Sequence, residues 1–314
     1  MKVLVTGGAG FIGSNISAEL VKCGHDVVVL DNYLHGNDKN VEEIIDKIEL
    51  VKGSICDFEL VIKLAKNCEV ILHQAAAPSS PMFMKDLRGC TLINVDGFVN
   101  VLNAAKENDV KRVVYASTSS IYGNNKPPLT EDMKIEPVNF YSSTKLLNEH
   151  MAILFSREYD IETVGLRYFS VYGPNEMYKG SGGVYANLVS QFLWSIMNNE
   201  QPVIYGDGSQ KRDFTYVKDA VQANILAMES KKTLMGEIFN VATGSRVSFN
   251  NLVSIIGNAL GKNVKPKYIK MPVKGYISDQ IADISKIKTV LGYKPKYTLE
   301  DGIKDVLIEI GIDV

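Results

Sequence analysis

The first half of the chain alternates short apolar runs, rich in β-branched residues, with longer amphipathic segments. This alternation is typical of strand–helix–strand units and predicts an α/β fold in which helices cover both faces of a parallel sheet. Residues 95–106 and 140–159 carry apolar residues at i, i+3 and i+4 and are predicted as long helices. The predicted strands are residues 2–6 (KVLVT), 26–31 (DVVVLD), 69–76 (EVILHQAA) and 111–117 (KRVVYAS).

The pattern loosens after Gly173, where loops rich in Gly, Asn and Pro separate shorter elements. Residues 161–168 and 236–241 still have strand character. No Pro- or Ser-rich linker divides the chain, so its two parts are expected to share an interface. We expect a doubly wound, cofactor-binding domain at residues 1–173, to which 212–245 contribute elements, and a smaller, loop-rich substrate domain made mainly of 174–314.

The composition is that of an ordinary globular protein, with 314 residues of which 46% are hydrophobic. Lys and Arg (34) nearly balance Asp and Glu (36), so the net charge of −2 gives no reason to expect nucleic acid or an anionic membrane as a partner. No apolar run approaches the ~20 residues of a membrane span, and the chain begins with a strand rather than a signal peptide. With four scattered cysteines and no metal-ligand spacing among its histidines, we expect a cytoplasmic protein with reduced thiols and no metal.

A glycine-rich turn follows the first predicted strand and leads into a predicted helix at residues 14–22. Glycines at the spacing of TGGAGFIG (residues 6–13) permit a tight turn and a close approach of the backbone to a pyrophosphate at the helix N-terminus. Asp31 ends the second strand eighteen residues after Gly13, where a carboxylate can accept ribose hydroxyls and would repel the extra phosphate of NADP. This Rossmann-type arrangement predicts NAD as the cofactor. The residues predicted to bind it here are Gly7, Gly10, Phe11, Ile12, Gly13, Asp31 and Asn32.

Tyr141 and Lys145 open the second long helix, and their spacing of four places both side chains on one face. A free phenol is a poor base near pH 7, but a neighbouring ammonium and a positively charged nicotinamide would both lower its pKa. Tyr141 is therefore predicted to act as general base and acid. Residues 117–120 (STSS) supply hydroxyls at the carboxyl end of a strand, where ligands bind in this architecture.

These motifs together resemble the extended short-chain dehydrogenase/reductase family, and within it the nucleotide-sugar epimerases and dehydratases. The resemblance covers nearly the whole chain, and its blocks follow the family's order. The blocks are TGGAGFIGS (6–14), AAAP (75–78), STSSIYG (117–123), YSSTK (141–145), GLRYFSVYGP (165–174) and KRDFTYVKD (211–219).

The resemblance extends the set of site residues. Asp57 is similar to the residue that binds the adenine, and Lys145 would bind the nicotinamide ribose as well as tune Tyr141. Ala75, Ala76 and Ala77 resemble the loop beside the pyrophosphate and that ribose. Thr118 stands where the family places its catalytic Ser or Thr. The residues expected to contact substrate are Thr118, Ser119, Tyr141, Ser170, Lys179, Arg212 and Gln280.

The family's dehydratases carry Asp-Glu after the catalytic Ser or Thr, whereas this chain has Ser119 and Ser120, which argues against dehydration. The resemblance then implies a UDP-sugar 4-epimerase in which hydride passes to NAD and returns to the other face of a keto-sugar. Arg212 matches an arginine that binds the diphosphate, for which a bidentate fork is suited. Gln280 stands where a Tyr would exclude N-acetyl groups, and this smaller side chain favours UDP-GlcNAc and UDP-GalNAc being accepted.

Three alternatives stay open at this stage. Residues 173–180 and 276–283 resemble the ADP-heptose 6-epimerases, in which a lysine at the position of Lys179 is a second acid or base; that branch favours NADP, which Asp31 opposes. A sugar-nucleotide reductase would consume its cofactor. An NAD-sensing regulator would be expected to have lost the Tyr141 and Lys145 pair.

Two further expectations concern the second half of the chain and assembly. The usual C-terminal arginine of the family is replaced by VKGY (residues 273–276), which leaves Lys274 as a substitute for it. The two long helices resemble those through which family members form homodimers, although an apolar helix face could equally pack inside the monomer.

Overall fold

The computed structural model describes residues 1–176, 186–270 and 277–312. Strands and helices alternate along its first part, as the apolar pattern predicts. Two 3-10 helices, Asp38–Lys47 and Ser119–Tyr122, and one π-helix, Leu92–Asp96, lie between the regular elements. These regular elements are β1 (Lys2–Thr6), α1 (Phe11–Lys22), β2 (Asp26–Asp31), β3 (Ile48–Lys52), α2 (Phe58–Ala65), β4 (Val70–His73), α3 (Ser80–Lys85), α4 (Leu87–Thr91), α5 (Gly97–Glu107) and β5 (Arg112–Thr118).

The remainder of the chain contains one long helix, a further long strand pair and many short elements. They are α6 (Phe140–Tyr159), β6 (Glu162–Tyr168), β7 (Val171–Tyr172), α7 (Leu188–Met197), β8 (Val203–Tyr205), β9 (Lys211–Arg212), β10 (Thr215–Tyr216), α8 (Val217–Glu229), β11 (Met235–Val241), β12 (Val247–Ser248), α9 (Phe249–Ala259), β13 (Lys267–Ile269), α10 (Ser285–Leu291) and α11 (Leu299–Glu309).

Seven strands form one sheet in the order β11-β6-β5-β4-β1-β2-β3, and every pair in it is parallel. The prediction of an α/β fold with a doubly wound parallel sheet is confirmed. The strand predicted at 69–76 ends at His73, since the Gln74 amide donates to the Thr6 carbonyl and the chain then leaves the sheet. Strand β3 was not predicted, because IELVK lies at the edge of the sheet with a half-exposed, charged sequence.

The sheet has an apolar core on each face because side chains alternate along a strand. Val3 and Val5 of β1 pack in the core that contains helices α1 and α8, while Leu4 packs in the one that contains α2 and α5. Helix α1 begins at Phe11, three residues earlier than predicted, with Gly10 as its N-cap residue. Its first turn therefore includes Gly13, and the glycine-rich segment is partly helical.

The second part of the chain returns to the sheet. Strand β11 pairs with β6, with one register shift between Met235 and Glu237, and α8 packs against the same core as α1. The short strands pair as β7 with β10, β8 with β13, and β9 with β12, away from the main sheet. Both β11 and α8 fall within residues 212–245; the division of the chain at residue 173 stays a prediction.

Among the helices of the described ranges, none is both long and apolar enough to cross a bilayer. The same residues contain no group of three or more His, Cys, Asp or Glu side chains that could hold a metal ion. The four cysteines are free thiols.

Candidate active site

A cleft of about 440 Å³ opens at the carboxyl ends of the parallel strands. Strand ends and the loops that follow them supply its walls, because a doubly wound sheet leaves a crevice where neighbouring connections diverge to opposite faces. It extends from the glycine-rich turn after β1, past the start of α6, to residues of the second part of the chain.

The glycine-rich turn is packed so closely that side chains are excluded from it. Gly7 has φ +69°, and a Cβ there would lie 2.6 Å from the Ala75 amide nitrogen. A Cβ on Gly13 would lie 2.1 Å from the Gly7 carbonyl oxygen. Phe11, Ile12 and the three predicted glycines line the cleft at the N-terminus of α1, where the helix dipole favours an anion. The turn therefore fits a pyrophosphate.

Asp31 lies at the end of β2 beside this turn and lines the cleft. Its Oδ2 accepts a hydrogen bond from the Ala9 amide (3.0 Å), and its Oδ1 accepts one from the Tyr33 amide (2.8 Å). Burial raises the pKa of this carboxyl group, while these bonds lower it. Asn32 also lines the cleft, and its Oδ1 accepts the Leu34 amide (3.0 Å). The remaining lone pairs of the Asp31 carboxylate suit ribose hydroxyls.

The other predicted cofactor residues divide into two groups. Ala75 and Ala76 line the cleft, whereas Ala77 is fully buried behind it. Asp57 does not line the cleft: its Oδ1 caps α2 by accepting the Leu60 amide (3.1 Å), which a carboxylate at a helix N-terminus does well. Contact of Asp57 with an adenine stays a prediction.

Tyr141, Lys145 and Thr118 come together in the cleft. Asn139 caps α6 through a hydrogen bond from the Ser142 amide to its Oδ1 (2.9 Å), so Tyr141 lies in the first turn. The Lys145 ammonium donates to the Ala116 carbonyl of β5 (3.0 Å). The Thr118 side chain hydrogen-bonds to the Tyr141 phenol. A helix N-terminus and a strand end thus place a phenol, an ammonium and a hydroxyl next to one another.

The electrostatics of this group depend on burial. Burial raises the pKa of Tyr141 to about 12, and the hydrogen bond from Thr118 lowers it. Burial lowers the pKa of Lys145 to about 8, while the Glu149 carboxylate raises it. The phenol accordingly needs a nearby positive charge before it can act as a base near neutral pH, and Lys145 lies one helical turn away.

The other predicted substrate residues that the structure describes also lie at this cleft. Ser119, Ser170, Arg212 and Gln280 all line the cleft. The Gln280 side chain donates to the Ser119 carbonyl (3.4 Å), which joins the segment around residue 280 to the end of β5. The guanidinium of Arg212 donates to the carbonyls of Lys211 (2.8 Å) and Ile277.

Ser170 and two predicted lysines bear on the remaining predictions. Ser170 has φ +36°, a left-handed backbone conformation that favours Gly or Asn and that few other residues adopt. Lys179 and Lys274 lie outside the described residues. Their predicted roles are therefore not located here.

A model of the NAD dependent epimerase/dehydratase family matches residues 3–242 of the chain. The chain belongs to this family. Its relatives include the UDP-glucose 4-epimerase of Mycolicibacterium smegmatis, with 34% identity over 308 residues that cover 96% of each chain. The resemblance to nucleotide-sugar epimerases is confirmed, and the family uses NAD as the sequence predicts.

Solved structures of family members have the same fold along nearly the whole chain. The UDP-N-acetylglucosamine 4-epimerase of Methanobrevibacter ruminantium, in complex with UDP-N-acetylmuramic acid, superposes with a TM-score of 0.92 at 32% identity and covers 98% of this chain and 97% of its own. The UDP-glucuronic acid 4-epimerase of Bacillus cereus, in complex with UDP-glucuronic acid and NAD, has a TM-score of 0.90 at 30% identity, with 99% of both chains covered.

The structure adds Asn94, which the sequence did not single out. This buried residue lies in the π-helix, and its side chain pairs with both main-chain groups of Ala77, accepting from the amide (2.7 Å) and donating to the carbonyl (3.2 Å). It also donates to the Thr144 hydroxyl (3.2 Å). Asn94 thereby ties the loop at 75–77 to helix α6. The partners of Asn94 lie 17 and 50 residues away in sequence, so periodicity gave no signal for these contacts.

Gln74, Tyr168 and Glu176 also line the cleft without having been predicted. The Tyr168 hydroxyl donates to Gln74 (3.1 Å) and accepts from Asn224 of α8 (2.7 Å), which links the ends of β4 and β6. The buried Glu176 carboxylate accepts from the Asn187 amide (2.7 Å) and the Ser190 hydroxyl (2.6 Å) at the start of α7. The two contacts of Tyr168 join residues 94 and 56 positions apart in sequence.

Proposed function

We propose that the protein is an NAD-dependent UDP-sugar 4-epimerase. One observation carries this proposal: Tyr141, Lys145 and Thr118 meet in the same cleft as a glycine-rich turn and Asp31. The first set supplies acid–base chemistry and the second fits a dinucleotide, so redox chemistry and proton transfer can occur at one carbon. Relatives of similar length are named as 4-epimerases of UDP-sugars, which supports the same class here.

The residues divide the chemistry between them. We assign NAD binding to the glycine-rich turn, Asp31 and the loop at 75–77. When bound, NAD supplies the acceptor and donor of the hydride. Tyr141 takes the proton of the sugar C4 hydroxyl and returns it after the face of the sugar has changed. Lys145 stabilises the phenolate and binds the nicotinamide ribose, and Thr118 donates to the phenolate or the sugar oxygen.

The substrate side of the cleft supports a UDP-sugar as the ligand. Ser119, Ser170 and Gln280 present hydroxyl and amide groups suited to sugar hydroxyls. Arg212 is the residue we assign to the diphosphate, for which a guanidinium is suited. The side chain at 280 is an amide joined to Ser119 rather than a bulky ring, which favours a sugar with an N-acetyl group at C2.

The same proposal includes a homodimer. Phe140, Leu147 and Leu154 of α6 are 51%, 41% and 58% exposed, and they recur every seven residues along one stripe of the helix. Leu92, beside α5, is also exposed. Large apolar side chains in a stripe of this kind mark a protein interface more often than they face water. We place the contact between two copies of the chain along this stripe.

Sugar interconversion followed by NMR tests the proposed function. The protein as purified is mixed with UDP-glucose or UDP-GlcNAc, with no nicotinamide added, and conversion to the 4-epimer is expected. Net change in NADH would indicate a reductase, and conversion of ADP-heptose alone would indicate the 6-epimerase. Either result would contradict the proposal, as would the absence of turnover on every sugar.

The Tyr141→Phe variant tests the acid–base assignment. It retains the ring but loses the proton-transfer group, so kcat is expected to fall at least about a hundredfold with NAD content unchanged. Tyr159→Phe is the matched control, since Tyr159 is the exposed last residue of the same helix, and its activity should equal that of the wild type. Equal activity of both variants would remove Tyr141 from the mechanism.

A further inference from the structure

Helix α6 contacts the end of β5 through three successive turns. Tyr141, Lys145 and Glu149 follow one another at intervals of four residues and therefore share one face. Tyr141 hydrogen-bonds with Thr118, and Lys145 donates to the carbonyl of Ala116. Glu149 accepts a hydrogen bond from the Ser117 hydroxyl. Three consecutive residues of β5 thus contact three successive turns of α6.

The Glu149 carboxylate spans two strands of the sheet. Besides Ser117 of β5, it accepts two hydrogen bonds from Arg167 of β6, from Nε to Oε1 (3.0 Å) and from Nη2 to Oε2 (2.8 Å). Ser117 and Arg167 are direct partners in the parallel register of these strands. Both members of the ion pair are buried, with 1% of Glu149 and 3% of Arg167 exposed. Hydrogen bonds from two neighbouring strands therefore fix the position of the buried carboxylate.

The stability of the fold alone does not explain why an ion pair is buried at this position. Removing two charges from water costs several kcal/mol per ion, and well-packed apolar residues often replace a buried ion pair without loss of stability. The guanidinium is bonded further, to the Tyr122 hydroxyl (2.8 Å). A fully bonded pair directly below two catalytic side chains suggests a part in their chemistry.

We propose that Glu149 is a positioning residue whose carboxylate, clamped between Ser117 and Arg167, sets the register of the catalytic helix and provides the negative charge that faces the Lys145 ammonium. It acts through Lys145 and does not touch substrate. The inference rests on the proposed roles of Tyr141 and Lys145. The Glu149 carboxylate then explains why Lys145 keeps its positive charge although it is buried.

The charged and titratable groups around Lys145 come from four elements. On β4, His73 is neutral near pH 7 because burial lowers its pKa to about 3. On β5 and α6, Tyr115 and Tyr141 are neutral because burial raises the pKa of each phenol. On β6, Arg167 is positive and bonded to Glu149. Glu149 is therefore the negative group of this set.

Glu149→Gln removes the charge and keeps the shape. Without the carboxylate the pKa of Lys145 is expected to fall by about one unit, the lower end of what an adjacent opposite charge contributes. The alkaline limb of kcat against pH should move down by the same amount, with about a threefold loss of kcat at pH 7.5. The pKa of Lys145 is measured directly by NMR of protein labelled at lysine Cε. Its signal is identified as the one that is missing from the spectrum of the Lys145→Arg variant.

Two further variants separate charge from hydrogen bonding and folding. Ser117→Ala removes one hydrogen bond and leaves the charge, so the Lys145 titration should stay where it is. Glu149→Gln with Arg167→Met removes both buried charges together and avoids an unpaired guanidinium, which keeps the test available if the single variant does not fold. A lower Lys145 pKa is expected there also.

An unchanged titration of Lys145 in every folded variant that lacks the carboxylate would overturn the inference. A purely structural Glu149 would lower stability or kcat without moving the pKa. Because the lysine titration needs no turnover, it reports on Glu149 even if the proposed sugar substrates prove wrong.

Discussion

His73 shows at the scale of one residue how the site combines burial with polarity. It ends β4 below the cleft, where its Nδ1 is 2.7 Å from the Thr6 hydroxyl and its ring lies 5.3 Å from that of Phe98. Burial lowers its pKa to about 3, and the positive charge of Lys145 lowers it further. The imidazole is thus held neutral at the pH where the ammonium is needed.

The pH dependence of stability follows from His73. Below pH 6.5 the unfolded chain binds a proton at this residue that the native protein does not, so the free energy of unfolding falls as the pH falls toward 3. The difference amounts to about 4 kcal/mol between pH 6.5 and 3.5. In His73→Asn, where an amide can replace Nδ1 toward Thr6, this part of the loss should disappear. Urea denaturation at several pH values measures it, and identical pH profiles for the two proteins would refute the assignment.

Residues within a motif were the easiest to place from sequence. The glycines, Asp31, Thr118, Tyr141 and Lys145 all line the cleft. Asp57 does not, because its carboxylate caps a helix. Asn94, Glu149 and Glu176 were not identified, since each acts through tertiary contacts. A single sequence gives no signal for such contacts.

At the scale of the element, the turn between β1 and α1 is the most tightly packed part of the site. The apolar pattern predicted this turn, and the strands and helices that it assigned end within a few residues of those in the structure. It did not identify the edge strand β3 or the π-turn before α5. Edge position and backbone irregularity are set by tertiary packing, so they leave little trace in the apolar period.

Gly13→Ala tests the packing of this turn. The added Cβ meets the Gly7 carbonyl, which must move, so we expect a loss of about 1–3 kcal/mol in stability and a lower NAD content after purification. Gly292→Ala is the control, because no atom lies within 4 Å of its Cβ although φ is +71°. Its strain should cost about 1 kcal/mol and leave NAD content unchanged. Equal NAD content in both variants would show that the turn is not the phosphate site.

At the scale of the whole molecule, the proposed homodimer depends on the exposed stripe on α6. Leu154→Glu places a charge in the proposed dimer contact and should convert the protein to a monomer, as measured by light scattering after gel filtration. Ile308→Glu is the control, since Ile308 is as exposed (61%) but lies on α11. A wild-type protein that is monomeric at micromolar concentration would contradict the proposed homodimer.

Strand β11 joins the two parts of the chain in one sheet. It lies at one edge of the main sheet, although it follows some sixty residues of chain that form other structures, and it forms a parallel backbone hydrogen-bond ladder with β6. A gene fragment that ended near residue 173 would leave β6 as a bare edge, open to pairing with other chains. The two parts are therefore unsuited to exchange as independent modules. Recombination among related enzymes would have to transfer both sides of the cleft together.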